Sequence, residues 1–135
     1  MASLFALVAA VAPTRPVDTT ACAIVQNPQA FNHKVVRFRA GVLTDWHHGI
    51  ALIHSGCGGA IQLGSTDAVP PKQSHAFDKA VGTRLDQGFD RTAMATFTGR
   101  ISWKRQAKRG WFDNPLKLEA HLIENVKVYP RKRPR

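Results

Sequence analysis

The sequence has little cysteine, no long apolar run and few acidic residues. Two cysteines in 135 residues are too few for a disulfide-dense framework, and neither belongs to a Cys-x-x-Cys pair, so thiol redox catalysis is not expected. No apolar run approaches the roughly 20 residues of a membrane-spanning helix, which excludes a polytopic helical membrane protein. Phosphate-binding glycine motifs and paired-carboxylate signatures are also missing. The sequence therefore predicts no catalytic residues, no enzyme activity and no cofactor. The chain is long enough for one domain with a single modest core.

What the sequence does contain is a strong basic bias, with 19 Lys and Arg against 9 Asp and Glu. Most of the excess is C-terminal, because residues 100–135 hold eleven basic and three acidic side chains. A field of this sign attracts anions such as nucleic acid, acidic polysaccharide, lipid headgroups and acidic proteins. The alternative is that these charges only keep the surface solvated.

The N-terminal residues have the hydrophobic pattern of an export signal. Residues 4–12 form a short apolar run, and its last three residues, Ala-Val-Ala, have the small-x-small form of a cleavage site. A later cut near Ala21 is the alternative position. No basic residue precedes the run and Pro13 follows it directly, so a packed N-terminal helix and a wrongly chosen start codon are the alternatives to a signal. We assign residues 1–21 to a signal peptide and linker and expect a periplasmic or secreted protein, with a cytoplasmic one as the alternative.

The two cysteines, Cys22 and Cys57, bear on the same question. In an exported chain an even count predicts one disulfide, whereas a cytosolic chain would hold two buried thiols. Cys57 also lies within eleven residues of His47, His48 and His54, and His54-x-x-Cys57 has the spacing of metal ligands. A disulfide would remove Cys57 from any such site, so we expect no metal.

The hydrophobic pattern predicts a small barrel. Strands are expected over residues 34–42, 50–54, 60–63, 92–103 and 116–128, with a helical turn over 22–31 and a helix over 72–81 that ends at Gly82. Residues 14–20 are expected to be a linker. The positions predicted to face inward are Val36, Phe38, Ala40, Val42, Ala76, Phe77, Ala80, Val81, Ala93, Ala95, Phe97, Gly99, Ile101, Leu116, Leu118, Ala120 and Leu122. Three strands, a helix and two strands are the order of the OB-fold, a five-stranded, partly open β-barrel. An SH3-like barrel and an unclosed α+β sheet are the alternatives. The OB-like domain is expected to span 22–129, followed by a disordered basic tail over 130–135.

The chain also resembles small exported bacterial proteins with OB-fold-like domains, most of them uncharacterised. The similarity rests on Cys22, Asn27-Pro28, Phe31 and Lys34 before the first long strand, on the glycine-flanked Cys57, and on Thr98-Gly99-Arg100 in the fourth. This sequence departs from the pattern at His33, where a glycine is expected. The resemblance implies the fold and export, and it supplies no catalytic residues.

Two loops of the predicted barrel are the candidate binding surface, because OB-folds bind ligands through the loops that join strands one to two and four to five. The candidate ligand-binding residues are Trp46, His47 and His48 in the first loop and Trp103, Lys104, Arg105, Lys108, Arg109 and Trp111 in the second. Cations interleaved with aromatic rings suit single-stranded nucleic acid and equally an acidic glycan. Alternatively, Trp103 and Trp111 pack across a hairpin while the charges face water. We predict a non-enzymatic binding or accessory domain for an anionic polymer or acidic protein, or else an intracellular single-stranded nucleic-acid binder.

Overall fold

The computed structural model of the protein describes residues 15–44, 49–54, 56–82, 91–105 and 114–130. Within these ranges the chain forms six strands and three helices. In chain order they are β1 (Val17–Asp18), α1 (Ala21–Gln26), α2 (Pro28–Phe31), β2 (Val35–Thr44), β3 (Ile50–Ile53), β4 (Ile61–Leu63), α3 (Pro71–Val81), β5 (Arg91–Trp103) and β6 (Leu116–Pro130). The predicted apolar signal segment and residues 131–135 of the predicted tail lie outside the described residues, whereas Pro130, also assigned to that tail, is the last residue of β6.

Five of the strands close into a barrel. Their order is β2-β3-β4-β6-β5, and β5 returns to pair with β2. The β4–β6 pair is parallel, whereas the other four barrel pairs are antiparallel. This closed, mixed barrel with α3 between its third and fourth strands confirms the prediction of an OB-fold-like architecture and excludes the unclosed α+β sheet.

Alternation along β2 and β5 fills the barrel as predicted. Inward-facing Phe38 and Phe97 are 2% and 0% exposed, and their ring centroids lie 6.0 Å apart. Phe77 of α3 meets Phe97 edge-on, with ring centroids 5.9 Å apart. Helix α3 therefore packs against the barrel interior through an aromatic cluster, which adds to the stabilisation gained from buried area.

Helix α3 begins with a proline in its first turn and ends at Gly82, which has a φ of 86°. Glycine adopts this conformation readily, whereas residues with a side chain rarely do. Phe77, Ala80 and Val81 are buried as predicted, but Ala76 is exposed. The prediction for Ala76 is wrong because that position lies about 100° around the helix from Phe77, outside the arc that the three buried residues define.

The inward alternation of β6 changes phase at a β-bulge. Gly99 pairs with Ala120 but Thr98 pairs with Leu122, so His121 is an extra residue on β6. As a result Ile123 is 1% exposed, whereas Leu122, predicted to face inward, is only half-buried. That prediction is therefore wrong.

A short N-terminal strand joins the sheet beside the barrel. Residues 17–18, predicted to belong to a linker, instead form β1 and pair in parallel with β2. Arg37 Nε donates to Asp18 Oδ1 at 2.7 Å, and Thr19 N donates to the Arg37 carbonyl at 3.0 Å. The predicted helical turn over 22–31 is present as α1 and α2, which are separated at Asn27 because Pro28 cannot continue α1.

Candidate functional site

The two predicted binding loops leave the barrel at opposite ends of the short strand β4. At the base of the first loop, Thr44 pairs with Ile50, which pairs in turn with Leu63 at the C-terminal end of β4. At the base of the second, Asn114 Nδ2 donates to the carbonyl of Ala60 at 2.8 Å, directly before β4 begins. The outer face of β3 and β4 therefore lies between the two loop bases.

The structure describes three of the nine predicted ligand-binding residues, and all three belong to the second loop. They are Trp103, Lys104 and Arg105. The other six, Trp46, His47, His48, Lys108, Arg109 and Trp111, lie outside the described residues.

Trp103 secures the end of β5. It is half-buried and packs against the hydrophobic core, and it pairs with Leu116 across the hairpin. Its backbone N–H donates to Asn32 Oδ1 at 2.9 Å, which joins this point to the end of α2. Part of the Trp103 indole is therefore buried in the core, while Trp111, with which it was alternatively expected to pack, lies outside the described residues.

The adjoining cations are at the surface. Lys104 and Arg105 are both exposed, and the backbone N–H of Lys104 donates to the Pro115 carbonyl at 3.2 Å. This hydrogen bond brings the two ends of the loop together, and Asn114 joins the same end of the hairpin to the start of β4. Two exposed cations therefore lie near the start of β4, a strand that belongs to the face that OB-folds use for binding.

A row of outward residues crosses this face, and their side-by-side arrangement was not predicted from the sequence. In register, Leu43 of β2 lies opposite Ala51 of β3, Ala51 opposite Gln62 of β4, and Gln62 opposite Lys117 of β6. Leu43 is 49% exposed. The Gln62 Oε1 atom is buried and has no hydrogen-bond partner among the residues described. Alternation alone could have placed these residues outward, but only the strand register brings them side by side.

The ion pair near the N-terminus lies on a different strand pair from this face. The hydrogen bond from the Arg37 guanidinium holds the pKa of Asp18 below its usual value, and the charge of Arg37 acts in the same direction. Arg39, the next outward residue of β2, donates to Thr96 Oγ1 at 3.4 Å and to the Asn125 carbonyl at 3.2 Å. Both arginines therefore have hydrogen-bond partners within the protein, and we do not assign them to the candidate ligand-binding surface.

The predicted disulfide is present between Cys22 and Cys57, with Cα atoms 5.7 Å apart. Closing a loop of this length stabilises a fold by about 3–4 kcal/mol in the chain-entropy model. His54 stands beside it, with Nδ1 3.5 Å from Cys22 Sγ. The two sulfurs and a ring nitrogen of His54 all lie within 4.8 Å of one another.

Comparisons with protein families, with curated proteins and with solved structures each found no match. The resemblance to small exported OB-fold-like proteins therefore stays a hypothesis. Among the described residues, no helix is both long enough and apolar enough to cross a membrane.

Proposed function

We propose that this protein is an exported, non-enzymatic binding domain that holds an anionic polymer of the cell envelope, such as an acidic polysaccharide, at the face between the two loop bases. The observation that carries the proposal is the exposed pair Lys104 and Arg105 at the base of the second loop, a base that Asn114 joins to the start of β4. Their neighbours in sequence, Lys108 and Arg109, add two more cations to the same loop.

The charge pattern suits a polymer rather than a small anion. A small anion is usually held by a few convergent donors in a concave pocket, whereas a repeating polyanion is held by several cations spread along a surface. The second loop has four cations within six residues. The partly buried Gln62 and the exposed Leu43 supply polar and apolar contact area on the adjoining face.

The Cys22–Cys57 disulfide supports export, since disulfides persist mainly in oxidising compartments. The position of β1 supports cleavage after residue 12 rather than near Ala21. A cut near Ala21 would remove β1, together with the Arg37 partner Asp18 and with Thr20, whose Oγ1 accepts from Ala23 N at 3.1 Å and caps α1. The earlier cut leaves all of these contacts in place.

The alternative is an intracellular protein that binds single-stranded nucleic acid on the same face. The OB-like strand order favours it, because OB barrels bind single strands through charge and base stacking. Trp46 and Trp111 would supply the stacking surfaces. An acidic protein surface is a third partner that the same cations would attract.

The first experiment is the intact mass of the protein from its native host, with and without a thiol-alkylating reagent. A chain that begins after residue 12 and takes up no reagent supports export. A full-length chain with two alkylated cysteines contradicts it and makes single-stranded nucleic acid the leading ligand.

The binding face is tested by titrating the folded protein with a uronic-acid polysaccharide and with single-stranded DNA at several salt concentrations. The test variant changes the four loop cations to glutamine: Lys104, Arg105, Lys108 and Arg109. The control removes the same charge elsewhere, by glutamine at Arg15, Lys72, Lys79 and Lys127.

We expect the loop variant to bind at least 10-fold more weakly. The slope of log K against log salt concentration should also become shallower. For single-stranded DNA, the slope should change by roughly 0.7 for each phosphate contact that is lost. The control should stay within about threefold of wild type by the same reasoning. Equal losses in the two variants would mean that only net charge matters and would overturn the proposed face. Preference for DNA over the polysaccharide would favour the alternative function.

A further inference from the structure

We propose that Cys22, His54 and Cys57 form a metal site that the disulfide keeps closed and that reduction opens, so that the reduced protein binds one Zn²⁺ ion. The site lies in the connection between β3 and β4 and on α1, and its argument does not depend on the proposed anion binding. It rests on the convergence of three ligand atoms from two segments of the chain.

The spacing of the ligand atoms matches a tetrahedral zinc centre. Zinc bonds of about 2.3 Å to sulfur and 2.0–2.1 Å to nitrogen place neighbouring ligand atoms roughly 3.5–3.8 Å apart. Cys22 Sγ and His54 Nδ1 are already 3.5 Å apart. Once the sulfurs are no longer bonded, side-chain rotation can bring them to the same spacing, because the cysteine Cα atoms lie 5.7 Å apart.

The backbone that carries these ligands is held by contacts other than the disulfide. His54 and Cys57 share one turn, in which Cys57 N donates to the His54 carbonyl at 3.2 Å. Cys22 lies in the first turn of α1, which is capped by Thr20 and fixed to the core by Ile24, 0% exposed. Reduction therefore frees the sulfurs while leaving the elements that position them.

The turn and the helix are also in direct contact beside the site. Gly59 has a φ of 99°, and a β carbon there would lie 2.6 Å from Val25 Cγ1 of α1. Only glycine allows the turn to approach the helix so closely. This contact joins the segment that follows Cys57 to the helix that carries Cys22, independently of the bond between the sulfurs.

The chemistry of the opened site selects a thiophilic ion. A dithiol reductant gives two electrons to the disulfide and becomes a disulfide itself, leaving two cysteine thiols. Zinc binding then releases two thiol protons, while neutral His54 coordinates through Nδ1 and keeps its proton on Nε2. Two thiolates and an imidazole favour Zn²⁺ over Mg²⁺ or Ca²⁺. The chain supplies three ligands among its described residues, so water completes the fourth position.

The cluster is accessible to both the reductant and the ion. His54 is exposed, and Cys22 and Cys57 are each half-buried. Solvent can therefore reach the disulfide directly, and no part of the barrel core has to open.

The test is a Co²⁺ and Zn²⁺ titration of the full chain, oxidised and after reduction with a phosphine, with far-UV circular dichroism recorded throughout. Co²⁺ reports thiolate ligation by a sulfur-to-metal charge-transfer band, and Zn²⁺ should displace it. We expect no such band in the oxidised protein, and one equivalent bound with release of two protons in the reduced protein. His54→Ala should weaken metal binding by more than about 100-fold, because losing a metal ligand lowers the affinity more than losing a residue that only hydrogen-bonds to a ligand.

His75→Ala, an exposed histidine on α3, is the matched control and should bind as wild type does. The proposal is overturned if reduced wild type gives no thiolate band, or if His54→Ala binds as tightly as His75→Ala. It is equally overturned if the reduced chain unfolds and metal does not restore its dichroism spectrum. Recovery of the folded spectrum on adding metal would support the site, since metal binding would then be coupled to folding.

Discussion

Replacing Gly99 by alanine tests how tightly β5 and β6 approach at the bulge. A β carbon at this position would overlap the carbonyl oxygen of Glu119 and lie 2.9 Å from the Ala120 Cα atom. Carbon atoms in favourable contact are about 3.5–4.0 Å apart, so the two backbones would have to separate by the better part of an ångström. Both strands are fixed by pairs on either side, Ile101 with Leu118 and Thr98 with Leu122.

The cost of Gly99→Ala should therefore exceed that of ordinary overpacking. Extra carbon atoms in a packed core cost about 1–3 kcal/mol when side chains can adjust. Here the obstacle is backbone, so we expect the free energy of unfolding to fall by about 3 kcal/mol or more. Gly41→Ala is the matched control, because Gly41 is also buried in a barrel strand but its β carbon would meet Ile53 at an ordinary 3.6 Å. That variant should be neutral or gain up to about 1 kcal/mol, since alanine restricts the unfolded chain more than glycine does.

Urea unfolding of the oxidised proteins, followed by tryptophan fluorescence, gives both free energies on one scale. A Gly99→Ala loss below about 1 kcal/mol would refute the backbone overlap. A loss at Gly41→Ala as large as that at Gly99→Ala would show that any added carbon is costly in this barrel, and the specific role of the bulge would be wrong.

Three further predictions concern single contacts, each measured by equilibrium unfolding. His33→Gly should stabilise the protein by up to about 1 kcal/mol, because His33 has a φ of 66°, which costs a side chain but not glycine; destabilisation would contradict this. Asp18→Asn should lower the free energy of unfolding at neutral pH, because Arg37 stabilises the charged carboxylate and so lowers the pKa of Asp18. The difference from wild type should disappear as the pH falls below 3.8 and then through that lowered pKa, since Asp18 becomes neutral. A difference that persists in acid would contradict a contribution from this ion pair. Gln73→Leu should cost about 1–3 kcal/mol because it removes the acceptor of the Ile123 N–H, bound at 2.9 Å, whereas Gln73→Glu keeps an acceptor and should cost less.

Much of the barrel could be predicted because local pattern and global fold agree. Alternation in β2 and β5 identifies most of the buried face, and Gly82 marks the end of α3. The disulfide followed from an even cysteine count in a chain with an export-like N-terminus. At His33 the resemblance predicted the backbone conformation although the residue differs. The related pattern has a glycine there, and His33 has a φ of 66°, which glycine adopts readily.

What the sequence could not predict depends on contacts between distant segments. The extra residue at His121 has no local signal, because the bulge is defined by what β5 places opposite it. Strand β1 is only two residues long and is specified by pairing with β2 rather than by its own pattern. At the candidate site, the sequence identified the exposed cations, but the row that contains Gln62 depends on the register of four strands.

The closure of β2 onto β5 has a consequence for how the chain folds. Val42 pairs with Ala93 and Val35 with Arg100, so the barrel interior is complete only when residues more than 50 positions apart have met. The chain divides into a β2–β3–β4 meander and a β5–β6 hairpin that must dock along two seams, and folds with such non-local pairing form in milliseconds to seconds. Cys22 and Cys57 both precede the hairpin. Oxidation can therefore join α1 to the meander before docking, leaving the hairpin as the last unit to be added.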